Sequence, residues 1–416
     1  MEYGCIGERL GHSFSKEIHN ALTSYEYSLK ELKREELPEF FKNKDFKAIN
    51  VTIPYKQNVI EYLDWISDEA KSINAVNTIV NRNGKLYGYN TDFYGLKALI
   101  ERENVSLKGK KVAILGSGGT SNTAFAVANH LKALSVLKVS RNKKDGYITY
   151  EELYDRYSDC EIIINTTPCG MFPKTGVSAV DLEKLSKVEA VFDAVFNPLS
   201  SKLILDAKAK NVTAVGGLYM LVSQAAYAVE KFIEAPVDNH KVEEIFQGLY
   251  KQKMNIALIG MPASGKTSVG KLLSEKLNKT FVDCDDEIVK NENKDITEIF
   301  KEFGEAYFRN VEKSVVKAVS MLNAQVISTG GGAVLNPENI ENLKANSRIY
   351  FLDRPLDMLI TTSDRPLSSN RADLEKRYNE RYKLYKSVAD VIVDGSKTVE
   401  EVAKIIEEDF YEYSCN

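Results

Sequence analysis

The sequence predicts an α/β chain of two or three domains, and three observations carry that expectation. Two short apolar runs, Lys111–Leu115 and Ile256–Ile259, each meet a glycine-rich turn that opens a helical pattern. Strand, glycine turn and helix in that order mark nucleotide-binding α/β folds. The chain has 416 residues, more than a single hydrophobic core usually serves.

Bulk composition narrows the function classes. Basic and acidic residues number 55 and 59, a net charge of −4, so no broad basic field for nucleic acid is expected. No apolar run approaches the ~18 residues of a membrane span. Met1–Leu10 holds Glu2 and Glu8 and no apolar core, so no secretory signal is expected. The five cysteines are scattered without a C-x-x-C, which suits a reducing cytoplasm and neither a disulfide framework nor a zinc site. The sequence leaves the oligomeric state open, monomer or homodimer.

Along the chain, the first informative stretch is Gly11-His12-Ser13-Phe14-Ser15, before a helix expected from about Lys16. Ser13 and Ser15 can present hydroxyls beside a helix N-terminus, where an anion is favoured. Taken alone, Ser15 reads equally as a cap. Asn50-Val51-Thr52-Ile53 alternates as a half-buried strand does, Pro54 ends it, and Lys56 lies just beyond. Asn74–Thr78 and Gly88–Asp92 follow. A lone lysine is usually solvated and a lone aspartate usually a cap. Composition alone does not override those plain readings.

Lys111–Leu115 then meets Gly116-Ser117-Gly118-Gly119, the glycine turn of a Rossmann unit, with Ser121 where the third glycine would fall. The second strand, Ser135–Val139, ends at Ser140-Arg141-Asn142-Lys143-Lys144. An acidic residue there would suit NAD. Arg141 instead fits the 2′-phosphate of NADP, against the plainer reading of a solvated basic turn. The join Gln247–Lys253 is short and basic, so the halves are expected to be closely tethered.

Gly260-Met261-Pro262-Ala263-Ser264-Gly265-Lys266-Thr267 has the spacing of a phosphate-binding P-loop, with a helix expected from Ser268. Its backbone N–H groups would face a phosphate chain, Lys266 would bring positive charge to the transferred group, and Thr267 would offer a hydroxyl to Mg²⁺. Asp283 and Asp285, two apart, are placed on one side of a strand end. Arg309 and Glu312, three apart, share a helix face; such pairs are usually weak surface salt bridges. Gln325–Ser328 delivers the triple glycine 330–332, by itself only a turn.

Read together, the front blocks resemble the shikimate dehydrogenase family. Its H-S-x-S-x-x-x-H-N, N-V-T-x-P-x-K, A-V-N-T and N-T-D-x-x-G patterns stand in order at 12–20, 50–56, 75–78 and 90–95. Its N-x-T-P-x-G-M segment stands at 165–171, and residues 193–198 match D-x-V-Y-N-P with Phe196 for the tyrosine. The resemblance covers residues 1–249. It implies that Ser13 and Ser15 bind the substrate carboxylate and that Thr52, Asn77 and Asp92 hold ring hydroxyls. It makes Lys56 and Asp92 the catalytic pair, brings Gln224 to the substrate and puts Gly217 near the nicotinamide. Two positions depart from the pattern: Asn74, where glycine is common, and Asn142 in the cofactor turn.

Residues 254 to about 395 resemble shikimate kinase, through D-x-D, G-E-x-x-F-R-x-x-E, T-G-G-G, R-P-L and R-x-x-x-Y in order. That likeness implies that Asp285 contacts the phosphorylated hydroxyl and that Arg309 and Arg381 clamp the shikimate carboxylate. Gly331 and Gly332 bring backbone N–H groups to the substrate, Asp283 holds Mg²⁺ beside Thr267, and Arg365 closes over the phosphates. The segment 359–364 lacks the arginine expected near adenine, and 365–381 is short for the family.

The implied architecture is a split α/β substrate domain (1–95 and 216–249), a Rossmann NADP domain (96–215) and a P-loop α/β domain of nucleoside-monophosphate-kinase type (254–416). The implied activity is a bifunctional enzyme using NADP(H), ATP and Mg²⁺. It would reduce 3-dehydroshikimate to shikimate and then phosphorylate it, with no nucleic-acid or membrane partner. The alternative is an NAD-dependent quinate/shikimate dehydrogenase with an inactive kinase-like half.

Overall fold

The computed structural model describes residues 1–11, 14–359 and 371–414. Ser13 and Arg365 therefore lie outside the described residues. Contacts divide the chain into two compact units. The first comprises Met1–Cys169, Ser178–Phe196 and Asp206–Gly248; the second comprises Gly170–Val177, Asn197–Leu205 and Leu249–Asn416.

The first unit holds two sheets. One contains β1 (Tyr3–Gly7), β2 (Tyr27–Glu31), β3 (Ala48–Val51), β4 (Trp65–Ile66), β5 (Thr78–Arg82) and β6 (Lys85–Tyr89), in the order β2-β1-β3-β5-β6-β4. β1 runs parallel to β2 and β3, whereas β5 is antiparallel to β3 and β6. All four residues of β3 are buried. The alternation through Asn50 and Thr52 thus misjudged this strand, which ends at Val51 and leaves Ile53 76% exposed. Asn50 tolerates burial because Tyr27 Oη donates to its Oδ1 at 2.7 Å and its Nδ2 donates to Thr78 Oγ1 at 3.1 Å.

The second sheet contains β7 (Lys111–Leu115), β8 (Ser135–Val139), β9 (Ile162–Asn165), β10 (Ala190–Asp193) and β11 (Thr213–Val215). Its order is β11-β10-β9-β7-β8, and its paired strands are parallel. β7, β9 and β10 are almost wholly buried apolar runs, as helices on both faces require. Strand order reverses at β7, the switch point where such sheets bind ligands.

The second unit is built on β12 (Asn255–Ile259), β13 (Thr280–Asp283), β14 (Gln325–Ser328), β15 (Ser347–Asp353) and β16 (Val391–Asp394). This sheet is also parallel, in the order β13-β14-β12-β15-β16. Its core gathers Ile259, Ile288, Val316, Ile327, Leu343, Phe351 and Tyr385. The architecture is thus α/β throughout, with a Rossmann-like sheet and a P-loop sheet as expected. The basic join, residues 247–253, ends the helix Asn239–Lys253. Lys279 Nζ covers the end of that helix, donating to the carbonyls of Lys251, Gln252 and Met254 at 3.0, 3.2 and 2.8 Å.

Candidate active sites

In the first unit, Lys56 follows β3 and Asp92 sits in the first turn of the helix Thr91–Arg102. The Asp92 carboxylate is favoured there by the helix N-terminus. Lys56 Nζ lies 2.6 Å from Asp92 Oδ2, and both side chains remain partly accessible, at 29% and 21%. The two groups thus form a close, partly accessible ion pair. Asn77 precedes β5, and its Oδ1 accepts from Thr91 N at 2.7 Å and from Thr78 Oγ1 at 3.0 Å. Gln224 lies on the helix Leu218–Ile233, which packs closely against Thr91–Arg102. Gly95 permits that approach, because a Cβ there would lie 2.6 Å from Met220 O and 2.8 Å from Gln224 Cβ. Gln224 Oε1 thereby comes within 3.4 Å of Thr91 Oγ1.

Ser15 is the first residue of the helix Ser15–Leu22, which also packs on Leu218–Ile233. Its reading as the N-cap does not hold, since Phe14 occupies that position. Thr52 follows β3, its N–H bonded to Ile6 O at 3.0 Å. His19, on the same helix as Ser15, is buried and stacked on Tyr27 with ring centroids 4.0 Å apart. Burial pushes its pKa down to about 3.

At the Rossmann turn, Gly116 has φ +116°, and a Cβ would lie 2.7 Å from Thr166 Oγ1. Gly118 caps the helix Gly119–His130, and the Cβ positions of Gly118 and Gly119 face open space. Backbone N–H groups at that helix start are free of side-chain cover, as a pyrophosphate needs. Ser121 is fully buried, in the place of the third glycine. Ser140 Oγ bonds to Asn142 O and so shapes the turn after β8, leaving Arg141 exposed. Gly217 caps Leu218–Ile233, and a Cβ there would lie 2.4 Å from Ala194 O, so a side chain is excluded. These features fit a dinucleotide carrying a 2′-phosphate.

In the second unit, β12 runs into a loop with φ +150° at Gly260, +63° at Ala263 and +92° at Gly265. Such alternation makes a concave row of N–H groups. Gly265 caps the helix Lys266–Leu277, which starts two residues before the expected Ser268. Lys266 is buried and its Nζ reaches back to the Gly260 and Met261 carbonyls at 3.0 and 2.9 Å. Ser264 is also buried in this loop. Thr267 Oγ1 lies 2.8 Å from Asp283 Oδ2. A hydroxyl and a carboxylate so placed are hard oxygen donors and fit Mg²⁺ shared with phosphate oxygens.

A cavity of about 580 Å³ opens from this loop, lined by Lys266, Asp283, Asp285, Arg309, Glu312, residues 330–332 and Arg381 among others. Asp285 does not stand on the strand as expected. Asp283 ends β13, caps the helix Cys284–Glu292 by accepting from Asp285 N at 3.0 Å, and leaves Asp285 in its first turn. Arg309 donates to Glu312 Oε2 at 2.8 Å and to Glu305 Oε1 at 3.0 Å. Glu312 is 1% exposed, and burial pushes its carboxyl up against the opposing pull of Arg309. Gly332 is where the Arg309 guanidinium rests: a Cβ would lie 2.3 Å from its Nη1. Arg381 is buried on the helix Arg371–Val388 and donates to Gly331 O at 3.0 Å, beside Tyr385 on the same carbonyl. Two guanidinium groups, four acids (Asp283, Asp285, Asp286 and Glu312) and a P-loop thus meet in one cavity.

Comparison with known proteins decides the family. Residues 5–79 match the family model for the shikimate dehydrogenase substrate binding domain, and residues 262–410 that for shikimate kinase. A Clostridium perfringens relative named shikimate dehydrogenase (NADP(+)) is 39% identical over 264 residues, covering 59% of this chain and 97% of that protein. The chain belongs to the shikimate dehydrogenase family. The crystal structure of a chorismate mutase/shikimate 5-dehydrogenase fusion protein from Clostridium acetobutylicum aligns with TM-score 0.56 and 37% identity, covering 59% of this chain and 96% of that one. Shikimate 5-dehydrogenase from Thermus thermophilus, solved with NADP(H) and shikimate, aligns with TM-score 0.54 and 25% identity, covering 60% of this chain and 99% of that one.

The dehydrogenase region thus brings Lys56 to Asp92 and joins Asn77 to Gln224 through Thr91, while the kinase domain gathers Lys266, Thr267, Asp283, Asp285, Arg309 and Arg381 around one cavity. Sequence reasoning did not single out Thr78 and Thr91, whose hydroxyls join Asn77 to Gln224. It noted Glu312 only as a partner on a helix face. Polar residues inside otherwise apolar strand and helix starts were the available signal.

Proposed function

We propose that the shikimate dehydrogenase region reduces 3-dehydroshikimate to shikimate with NADPH, and that the kinase domain phosphorylates shikimate to shikimate 3-phosphate with ATP and Mg²⁺. The product of the first reaction is the substrate of the second. The observation that carries the reading is the convergence of Arg309, Arg381 and Asp285 beside a P-loop, on the chain that also holds Lys56 against Asp92.

NADPH supplies hydride when bound between the 116–119 turn and Arg141. Lys56 holds the proton that the developing alkoxide takes, and Asp92 keeps Lys56 directed. Ser13 and Ser15 bind the ring carboxylate; Thr52, Asn77 and Gln224 orient the hydroxyl-bearing side. ATP supplies the phosphoryl group in the second site. There Asp285 accepts a hydrogen bond from the attacking hydroxyl, and Arg309 and Arg381 clamp the carboxylate with planar, bidentate groups. Lys266 neutralises charge on the transferred group, the main task in phosphoryl transfer. Thr267 and Asp283 would hold Mg²⁺, Gly331 and Gly332 would border the ring, and Arg365 would close over the phosphates. We place the enzyme in the cytoplasm on its cysteine pattern. Among the described residues no helix is long and apolar enough to cross a membrane, and Cys5, Cys160, Cys169 and Cys284 are free thiols.

The test separates the half-reactions. NADPH oxidation is followed with 3-dehydroshikimate alone, and ADP formation with shikimate alone. Both should proceed, and ADP formation should depend on shikimate. ATP turnover indifferent to shikimate would remove the kinase half of the proposal.

A further inference from the structure

Three amide side chains meet at the dehydrogenase site, and backbone groups fix which way each one points. The Asn77 atom 2.7 Å from the Thr91 N–H must be oxygen, because that backbone group only donates. The Asn50 atom 3.3 Å from the Asn77 carbonyl must be nitrogen, because a carbonyl only accepts. Gln224 likewise turns its Nε2 to the Leu221 carbonyl at 2.9 Å. The hydroxyl protons follow from these anchors. Tyr27 Oη donates to Asn50 Oδ1 at 2.7 Å, and Asn50 Nδ2 donates to Thr78 Oγ1 at 3.1 Å. Thr78 has one proton to give, and the nearer of its acceptors is Asn77 Oδ1 at 3.0 Å, against 3.2 Å to Thr91 Oγ1. Thr91 Oγ1 also has one proton, with Asn77 Oδ1 at 3.2 Å and Gln224 Oε1 at 3.4 Å as its acceptors. Tyr27, Thr78 and Thr91 are fully buried and Asn50 nearly so, which makes the chain stiff and dry. With Oδ1 occupied by donors, Asn77 has only its Nδ2 to offer the site.

We infer that Thr78 is a positioning residue of the reductase: its hydroxyl, aligned by Tyr27 through Asn50, holds the Asn77 amide so that Nδ2 donates to an oxygen of the carbonyl substrate. Asn77 therefore reads an acceptor oxygen and not a donor. The inference rests on the reading of this site as a 3-dehydroshikimate reductase and adds which groups aim its amide.

The full-length chain is compared with Thr78→Val, which keeps the shape and removes the hydroxyl, and Thr78→Ser, which restores it. Thr78→Val should raise KM for 3-dehydroshikimate on the order of 10-fold, the loss of about one hydrogen bond of transition-state and substrate binding. KM for NADPH and the rate of shikimate phosphorylation should stay within about 2-fold, and Thr78→Ser should recover the wild-type KM to within about 2-fold. Tyr27→Phe, at the far end of the chain, should shift KM in the same direction by a smaller factor. An unchanged KM in Thr78→Val, equal rises for both substrates, or failure of Thr78→Ser to recover would overturn the inference. If the wild-type chain leaves NADPH unoxidised, the reductase reading fails by itself, and crystal structures then decide the positioning role. Lengthening of the Asn77 Oδ1–Thr91 N contact in Thr78→Val but not in Thr78→Ser supports it; an unmoved Asn77 in both overturns it.

Discussion

Gly332→Ala tests the proposed carboxylate clamp of the kinase site. Gly332 has φ −102° and ψ −2°, a conformation alanine adopts without strain. The added methyl carbon would instead lie 2.3, 2.5 and 2.6 Å from Arg309 Nη1, Nη2 and Cζ, where ordinary contact begins near 3.4 Å. The guanidinium must therefore retreat by roughly 1 Å, a displacement that at an active site costs about 10²-fold in rate, or about 2.7 kcal/mol. It cannot retreat freely, because Glu312 and Glu305 hold it at 2.8 and 3.0 Å. Either those bonds lengthen or the arginine leaves its place over Gly332, and both outcomes misplace the clamp. Shikimate-dependent ADP formation should show a raised KM for shikimate together with a lowered kcat. NADPH oxidation by the same preparation serves as the internal control and should be unchanged. A Gly332→Ala chain that phosphorylates shikimate within about 2-fold of wild type, with an unaltered KM, would refute the assignment of Arg309.

Lys56→Ala should lower reduction by about 10²- to 10⁴-fold while phosphorylation continues, as expected for loss of a general acid; a barely changed dehydrogenase rate would remove the proton-donor role. Lys266→Ala should do the converse, and comparable loss of reduction in that variant would show that the two activities are not independent. Arg141→Ala should raise KM for NADPH about 10-fold and leave KM for NADH nearly unchanged, measured with both cofactors. The buried His19 predicts acid sensitivity: the unfolded chain binds its proton near pH 6.5, whereas the folded chain resists until about 3. Its contribution to stability is whole above pH 6.5 and is lost as pH falls toward about 3, reaching a loss of about 2 kcal/mol by pH 5. Urea midpoints for the dehydrogenase region should fall accordingly between pH 7 and 5, and a flat profile there would contradict the burial of a neutral imidazole.

Much of this was legible in the sequence because backbone chemistry leaves short-range marks. The Rossmann strand at 135–139 and the strand at 325–328 lie where the apolar runs put them. The turn glycines at 116, 260 and 265 adopt the positive φ that their motifs demand. Even the departure at Asn74 is explained locally, since it has φ +56° and ψ +43°, a left-handed conformation that asparagine tolerates better than other side-chain-bearing residues. What the sequence hid depends on partners distant along the chain. Asn50 read as the outward face of a strand, yet Tyr27 and Thr78 satisfy it inside the core. Asp283 and Asp285 read as one strand face, but Asp283 ends the strand by capping a helix, which carries Asp285 onto a different element. Arg309 and Glu312 read as a surface pair, and only the fold shows that Glu312 is buried behind the guanidinium.

The most direct measurement supplies the purified chain with 3-dehydroshikimate, NADPH, ATP and Mg²⁺ and identifies the products by mass. The account predicts shikimate 3-phosphate, with NADPH oxidised and ADP formed at equal rates once shikimate stops accumulating. Shikimate that builds up unphosphorylated in the presence of ATP, or NADPH that is never consumed, would contradict it.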